Sequence, residues 1–200
     1  MTRTTTKRLA PFAALAACAV TIGLAGCAES ESATNTASSV VAGTTSAAAE
    51  GEGSIPTDTS PKISPASEGA ALTVTDIRVG EHDGFDRVVY ELGGEGTPGW
   101  QVEYVDSAVQ DGSGRPIEVG GQAILQVRID GSAYPFESKV EPYSGPDPVP
   151  GIPGGVISDV NGSLVFEGVT QSYIGVSEKG RPFSASALSD PPRLVVDVAK

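Results

Sequence analysis

Few residues in this chain could do chemistry, and they are well separated. Its 200 residues include two cysteines, Cys18 and Cys27, and one histidine, His82. The thiol of Cys27 follows Leu24-Ala25-Gly26. That arrangement resembles a bacterial lipobox, in which the sulfur takes a diacylglyceryl group and the small residues admit the backbone to a signal peptidase. His82 lies in Glu81-His82-Asp83-Gly84. A Ser–His–Asp mechanism would have to use it, yet no serine sits in a nucleophile-elbow motif. His82 therefore reads as a polar turn residue, and no catalytic residue is expected. Asp83-Gly84-Phe85-Asp86 and Asp111-Gly112-Ser113-Gly114 place acids beside glycine, but neither has the ligand spacing of an EF-hand. One histidine and two cysteines are too few for a zinc or iron–sulfur site. No metal and no cofactor are expected.

The remaining candidates are binding residues. Trp100, Tyr104, Tyr134 and Tyr143, with Tyr173 in reserve, are flat amphipathic side chains that could stack on sugar rings. Trp100 and Tyr104 fall on one face of a strand, where an aromatic stripe is usually core. Tyr134 and Tyr143 lie in or beside a proline-rich stretch, where exposure is expected. Arg87, Arg181 and Arg193 could read a carboxylate on a polymer or pair with acidic neighbours. Arg87-Val88-Val89-Tyr90-Glu91-Leu92 and Arg193-Leu194-Val195-Val196-Asp197-Val198 share one formula: arginine, three apolar residues, acid, apolar. Each arginine and its acid lie on the same side of a strand, which reads as a solvent-facing charge pair of small value.

Charge narrows the partners. The chain carries 25 acidic and 13 basic residues, a net charge of −12. Such a surface does not grip nucleic-acid phosphates or an anionic membrane face. Arg3, Lys7 and Arg8 form a basic region ahead of an apolar run from Leu9 to Ala25, interrupted only by Thr21. The run is short for a membrane span and has the anatomy of a secretory signal. Cleavage before Cys27 removes those three basic residues and leaves 10 against 25 acids, a net charge of −15.

Three segments position these residues. Residues 1–26 are the expected lipoprotein signal peptide. Residues 27–70 begin with the acylated Cys27 and continue as a Ser/Thr/Ala/Pro-rich tether without aromatics, a composition too poor in apolar surface to offset chain entropy. Its 43 residues after Cys27 span roughly 36 Å as a coil. Residues 71–200 are the expected folded domain. Short β-rich runs recur there between glycine, proline, asparagine and aspartate, with no helical period. About nine strands are expected, including Arg87–Leu92, Trp100–Val105 and Ala123–Ile129. Val156–Val160 and Leu164–Val169 flank Asn161-Gly162, a type I′ hairpin signal. The stretch 135–153 holds six prolines and reads as an ordered irregular loop or edge crossing. The fold class is all-β, a sandwich or partly open barrel.

The domain resembles the AMIN-like domain of actinobacterial lipoproteins and secreted proteins. The residues that carry the resemblance are Phe85–Tyr90, Gly99–Tyr104, Tyr134-Pro135, Gly145–Val149, Arg181-Pro182-Phe183 and Asp190–Val198. The resemblance implies a non-catalytic all-β module that localises envelope proteins by binding peptidoglycan or a related wall polymer. It brings no catalytic residues with it. Read with the lipobox, it places the chain on the outer face of the cytoplasmic membrane, held through Cys27 and reaching into the wall. The alternative is an envelope adaptor whose open sheet edge recruits a protein partner.

Overall fold

The computed structural model describes residues 53–200. The signal segment, Cys27 and most of the expected tether lie outside the described residues. Ten strands and one helical turn follow in order: β1 (Lys62–Ser64), β2 (Ala71–His82), β3 (Phe85–Glu95), β4 (Gly99–Val105), β5 (Ala123–Asp130), α1 (Pro135–Ser138), β6 (Val149–Pro150), β7 (Ile157–Phe166), β8 (Val169–Val176), β9 (Phe183–Leu188) and β10 (Arg193–Ala199). They form two open antiparallel sheets, one ordered β1-β4-β5-β8-β7-β6 and the other β2-β3-β10-β9. The architecture is a sandwich, and no barrel closes.

Alternation sets the core. Val88, Tyr90 and Leu92 of β3 and Leu194, Val196 and Val198 of β10 face inward against Val102, Leu125, Val127, Ile129 and Ile174. Period-two side-chain geometry requires this once one face of each strand is apolar. Tyr90 is fully buried, and its hydroxyl meets Ser172 Oγ at 3.0 Å across the two sheets. Burial holds that phenol well above its ordinary pKa, so it stays protonated as a donor.

Three expectations change. Asn161-Gly162 is not a hairpin turn. Ile157–Val160 and Leu164–Phe166 belong to the single strand β7, with a register shift between Asn161 and Leu164 that absorbs the extra residue as a bulge. Asn161 Nδ2 donates to Asp159 Oδ1 at 2.9 Å, and the Gly162 N–H donates to Asp147 Oδ1 at 3.0 Å. These local bonds reward the bulge. The turn falls instead at Glu167-Gly168, whose φ values of 48° and 81° are the two positive angles a type I′ hairpin needs.

The charge pairs are also rearranged. Residues four apart along a strand are roughly 13 Å apart and cannot pair with each other. Because β3 and β10 run antiparallel with Arg87 opposite Asp197, the arginine of one copy of the formula meets the acid of the other. Arg87 Nε and Nη2 donate to Asp197 Oδ1 and Oδ2 at 2.7 and 2.9 Å. The two side chains are only 3% and 7% exposed, so the pair is buried and not solvent-facing.

The third change is the start of the domain. Gly53–Ala70 falls within the stretch read as tether, yet its first part lies on the sandwich as a strap. Gly53 sits on the Arg87–Asp197 pair so closely that a Cβ there would collide with the guanidinium. Pro56 is buried. The Phe183 N–H donates to the Asp58 carbonyl at 3.0 Å, and β1 pairs with β4 from Lys62 to Ser64. The strap thus covers the outer edges of β9 and β4, which would otherwise present unpaired backbone. Composition misses this because the covering is done by backbone and by one proline, not by a run of apolar side chains.

One prediction follows from the strap. The Lys62 ammonium and the Ser60 hydroxyl hold the exposed Asp58 carboxyl far below its ordinary pKa. A depressed carboxylate contributes above its unfolded value near 4 and loses that contribution as pH falls through the folded value. Hydrogen exchange at Asp58–Ser64 should therefore be steady from pH 7 to about 5 and quicken relative to the core below about pH 4. Unchanged relative protection down to pH 2 would show that this ion pair does not hold the strap.

Candidate functional site

The loop after β5 builds the most exposed aromatic feature among the described residues. Leu72 N–H donates to the Gly131 carbonyl at 3.0 Å and Ala133 N–H to the Leu72 carbonyl at 2.8 Å, which ties this loop to β2. Proline at the first position then starts α1, a single helical turn. Lys139, at φ 59°, ends it, and its N–H donates to the Pro135 carbonyl at 2.8 Å. Thr73 Oγ1 and Ser138 Oγ lie 2.6 Å apart, pinning the turn to β2. The result is a fixed mount for two rings. Tyr134 and Phe136 stack with centroids 5.4 Å apart and planes 6° from parallel. They are 37% and 76% exposed.

Beside this plate runs a groove of about 260 Å³, lined by Val74, Pro135, Pro142, Leu164 and Val165. Leu164 is 54% exposed, and Phe166 is also exposed. β6 pairs with β7 only at Asp159 and Val160, so Ser163–Phe166 has no strand on its outer side. The plate, the groove and this open edge form one continuous apolar surface at one end of the sandwich. Flat exposed rings offer the face to which the C–H groups of a sugar bind, while the groove admits an extended chain.

The binding residues singled out in the sequence do not share one site. Tyr134 belongs to the plate. Tyr143 lies nearby but is turned in: its ring packs on the core and its hydroxyl donates to the Pro146 carbonyl at 2.9 Å. Burial, then Asp76 and Asp147, raise its pKa. Trp100 and Tyr104 face inward from β4. Tyr104 stands edge-on to Phe183 at 5.4 Å and donates to the Arg181 carbonyl at 2.8 Å. Burial raises its pKa against the opposing effect of Arg181. Arg87 is locked to Asp197, and the buried Arg193 directs Nε to the Pro191 carbonyl at 3.3 Å. Neither is presented to a polymer carboxylate. Tyr173 is buried beneath the loop after β4, where its hydroxyl donates to the Val109 carbonyl.

Phe136 and Leu164 were not singled out in the sequence. The sequence signal for Phe136 was only its place beside Tyr134-Pro135 in the proline-rich stretch, where exposure was expected of Tyr134. Leu164 carried none, because its exposure depends on β6 ending early.

His82 and Asp111, considered for catalysis and metal binding, have other partners. His82 stacks on Phe85 at 4.8 Å. Asp111 Oδ1 accepts from Gln171 and Oδ2 from Arg128, both at 2.9 Å. No cluster of three potential metal ligands occurs among the described residues.

No curated protein and no solved structure matches the chain. The AMIN-like domain family model matches residues 72–200, covering both sheets from β2 to β10 and the loop that carries the plate. The chain therefore belongs to the AMIN-like domain family.

Proposed function

We propose that this protein is a lipid-anchored, non-catalytic binding module of the cell envelope, and that the Tyr134–Phe136 plate grips an uncharged stretch of wall polysaccharide. Membership in the AMIN-like family suggests a wall-associated binding module. The observation that carries the assignment to this surface is the stacked pair of exposed rings beside an open groove. A net charge of −12, more negative still once the signal is removed, disfavours anionic polymers and favours a neutral glycan. Acylation at Cys27 would hold the module at the outer membrane face, because two or more chains anchor far more firmly than one.

Co-sedimentation of the full chain, in mild detergent, with cell-wall sacculi tests this reading. Binding should saturate and should change little between low and high salt. Phe136→Ala should weaken it about fivefold and Tyr134→Ala by a smaller factor, in line with roughly 1 kcal/mol per aromatic contact. In cells, Cys27→Ser should abolish incorporation of labelled fatty acid and leave an unprocessed precursor. Wild-type affinity in Phe136→Ala would overturn the assignment of the site.

The unpaired backbone of Ser163–Phe166, rimmed by Leu164 and Phe166, favours a second reading: an adaptor that adds an extended strand of a partner protein. In that case a photo-crosslinker at Leu164 would capture protein in cells and sacculus binding would be absent.

A further inference from the structure

A hollow of about 380 Å³ lies away from the plate, where β4 ends and β5 begins, with Tyr104, Asp106, Gln122, Lys179 and Gly180 in its wall. The plate follows the other end of β5, so the two features are separated by roughly 24 Å of strand. Val105, Val119, Ala123 and Ile124 give it an apolar side, and Thr59, which belongs to the strap, lines it as well.

The hollow has the composition of a site for one polar ring. Tyr104 is held by its hydroxyl bond to the Arg181 carbonyl and by its edge-on contact with Phe183, so its ring is preset. Around it stand a carboxylate, an amide, an ammonium and a hydroxyl from Asp106, Gln122, Lys179 and Thr59. A fixed aromatic with a few convergent donors and acceptors suits a hydroxyl- and amide-bearing sugar. The volume lies toward the small end of ligand pockets and suits a terminal residue, not the side of a long chain.

The strap couples to this hollow through one ring. Lys62 Nζ lies 5.0 Å from the Phe183 centroid, and the Phe183 N–H is bonded to the Asp58 carbonyl at 3.0 Å. Phe183 is also the ring against which Tyr104 stands. If the strap lifts, the hollow loses its Thr59 wall and Tyr104 loses the support of a fixed Phe183.

We propose that this hollow binds the terminal sugar of a wall glycan, and that docking of the strap Asp58–Ser64 and binding of that sugar stabilise each other. The inference rests on the wall-saccharide reading and extends it to a second site. Reciprocity follows from linkage: a ligand that touches the docked strap must favour docking, and docking must raise affinity for the ligand by the same factor.

Hydrogen exchange on the full chain, with and without a short oligosaccharide of N-acetylated glucosamine, tests it. Saturating oligosaccharide should slow exchange at Asp58–Ser64 several-fold. Asp106→Ala, on an exposed loop where folding is not at risk, should abolish that protection. Asp58→Ala should speed strap exchange, and it should weaken oligosaccharide binding to the extent that it lowers the docked fraction of the strap. Protection confined to the plate would overturn this inference and leave the wall-saccharide reading standing. An absence of any oligosaccharide-dependent protection, together with no sacculus binding, would overturn both.

Discussion

Asp197→Ala should lower the unfolding free energy of the domain by about 3–5 kcal/mol, because it leaves a buried guanidinium without this carboxylate. For a domain of this size that corresponds to a fall in thermal midpoint of roughly 10 °C or more. Both direct bonds of the Arg87–Asp197 pair are charge-assisted and lie beneath Gly53. The double variant Arg87→Met/Asp197→Leu separates two explanations. If the loss comes from an uncompensated charge, the apolar pair should recover most of it, since well-packed apolar replacements of buried ion pairs are often neutral. If the double variant is as unstable as the single one, the strap needs the charges themselves. Chemical denaturation with an unchanged slope would read out both. A loss below about 1 kcal/mol in Asp197→Ala would show that the pair behaves as a surface bridge despite its burial.

Removing the strap should have the second-largest effect. A chain beginning at Leu72, where the family match begins, lacks β1, the buried Pro56 and the Asp58 carbonyl that accepts from Phe183. It leaves the outer edges of β4 and β9 with unpaired backbone. Compared with a chain beginning at Gly53, the shorter one should unfold roughly 5 °C lower, on the order of 1–2 kcal/mol. It should also self-associate as concentration rises, because an open edge recruits another edge. Light scattering and thermal unfolding at two concentrations would show both effects. Equal midpoints and equal size would mean that the strap is passive, and the coupling proposed for the Tyr104 hollow would lose its physical basis.

The plate and strap predictions are independent, since the plate is pinned by Thr73 and Ser138 at the end of the sandwich away from the hollow. Phe136→Ala should leave the thermal midpoint almost unchanged, because a side chain 76% exposed contributes little packing.

Alternation alone determined much of this protein. Val88, Tyr90 and Leu92, then Leu125, Val127 and Ile129, read as the inner faces of strands, and the glycine- and proline-rich joints between such runs specified an all-β sandwich or partly open barrel, of which the structure is the sandwich. The charge balance by itself disfavoured nucleic acid and an anionic membrane face as partners. The tertiary structure decided what depends on pairing between distant segments. It matched Arg87 to Asp197 across 110 positions, because register is set by which strands become neighbours. It turned Asn161-Gly162 into a bulge and moved the hairpin to Glu167-Gly168, because bonds to Asp159 and Asp147 and the pairing with β8 outweigh a local turn preference. It drew Gly53–Ser64 out of the tether, because covering an edge requires only backbone hydrogen bonds, which composition does not display. Exposure was the least legible property. Tyr143 and Phe136 occupy the same proline-rich stretch, yet Tyr143 packs its ring inward, its N–H donating to the Val74 carbonyl and its hydroxyl to the Pro146 carbonyl, while Phe136 stands on α1 and faces water.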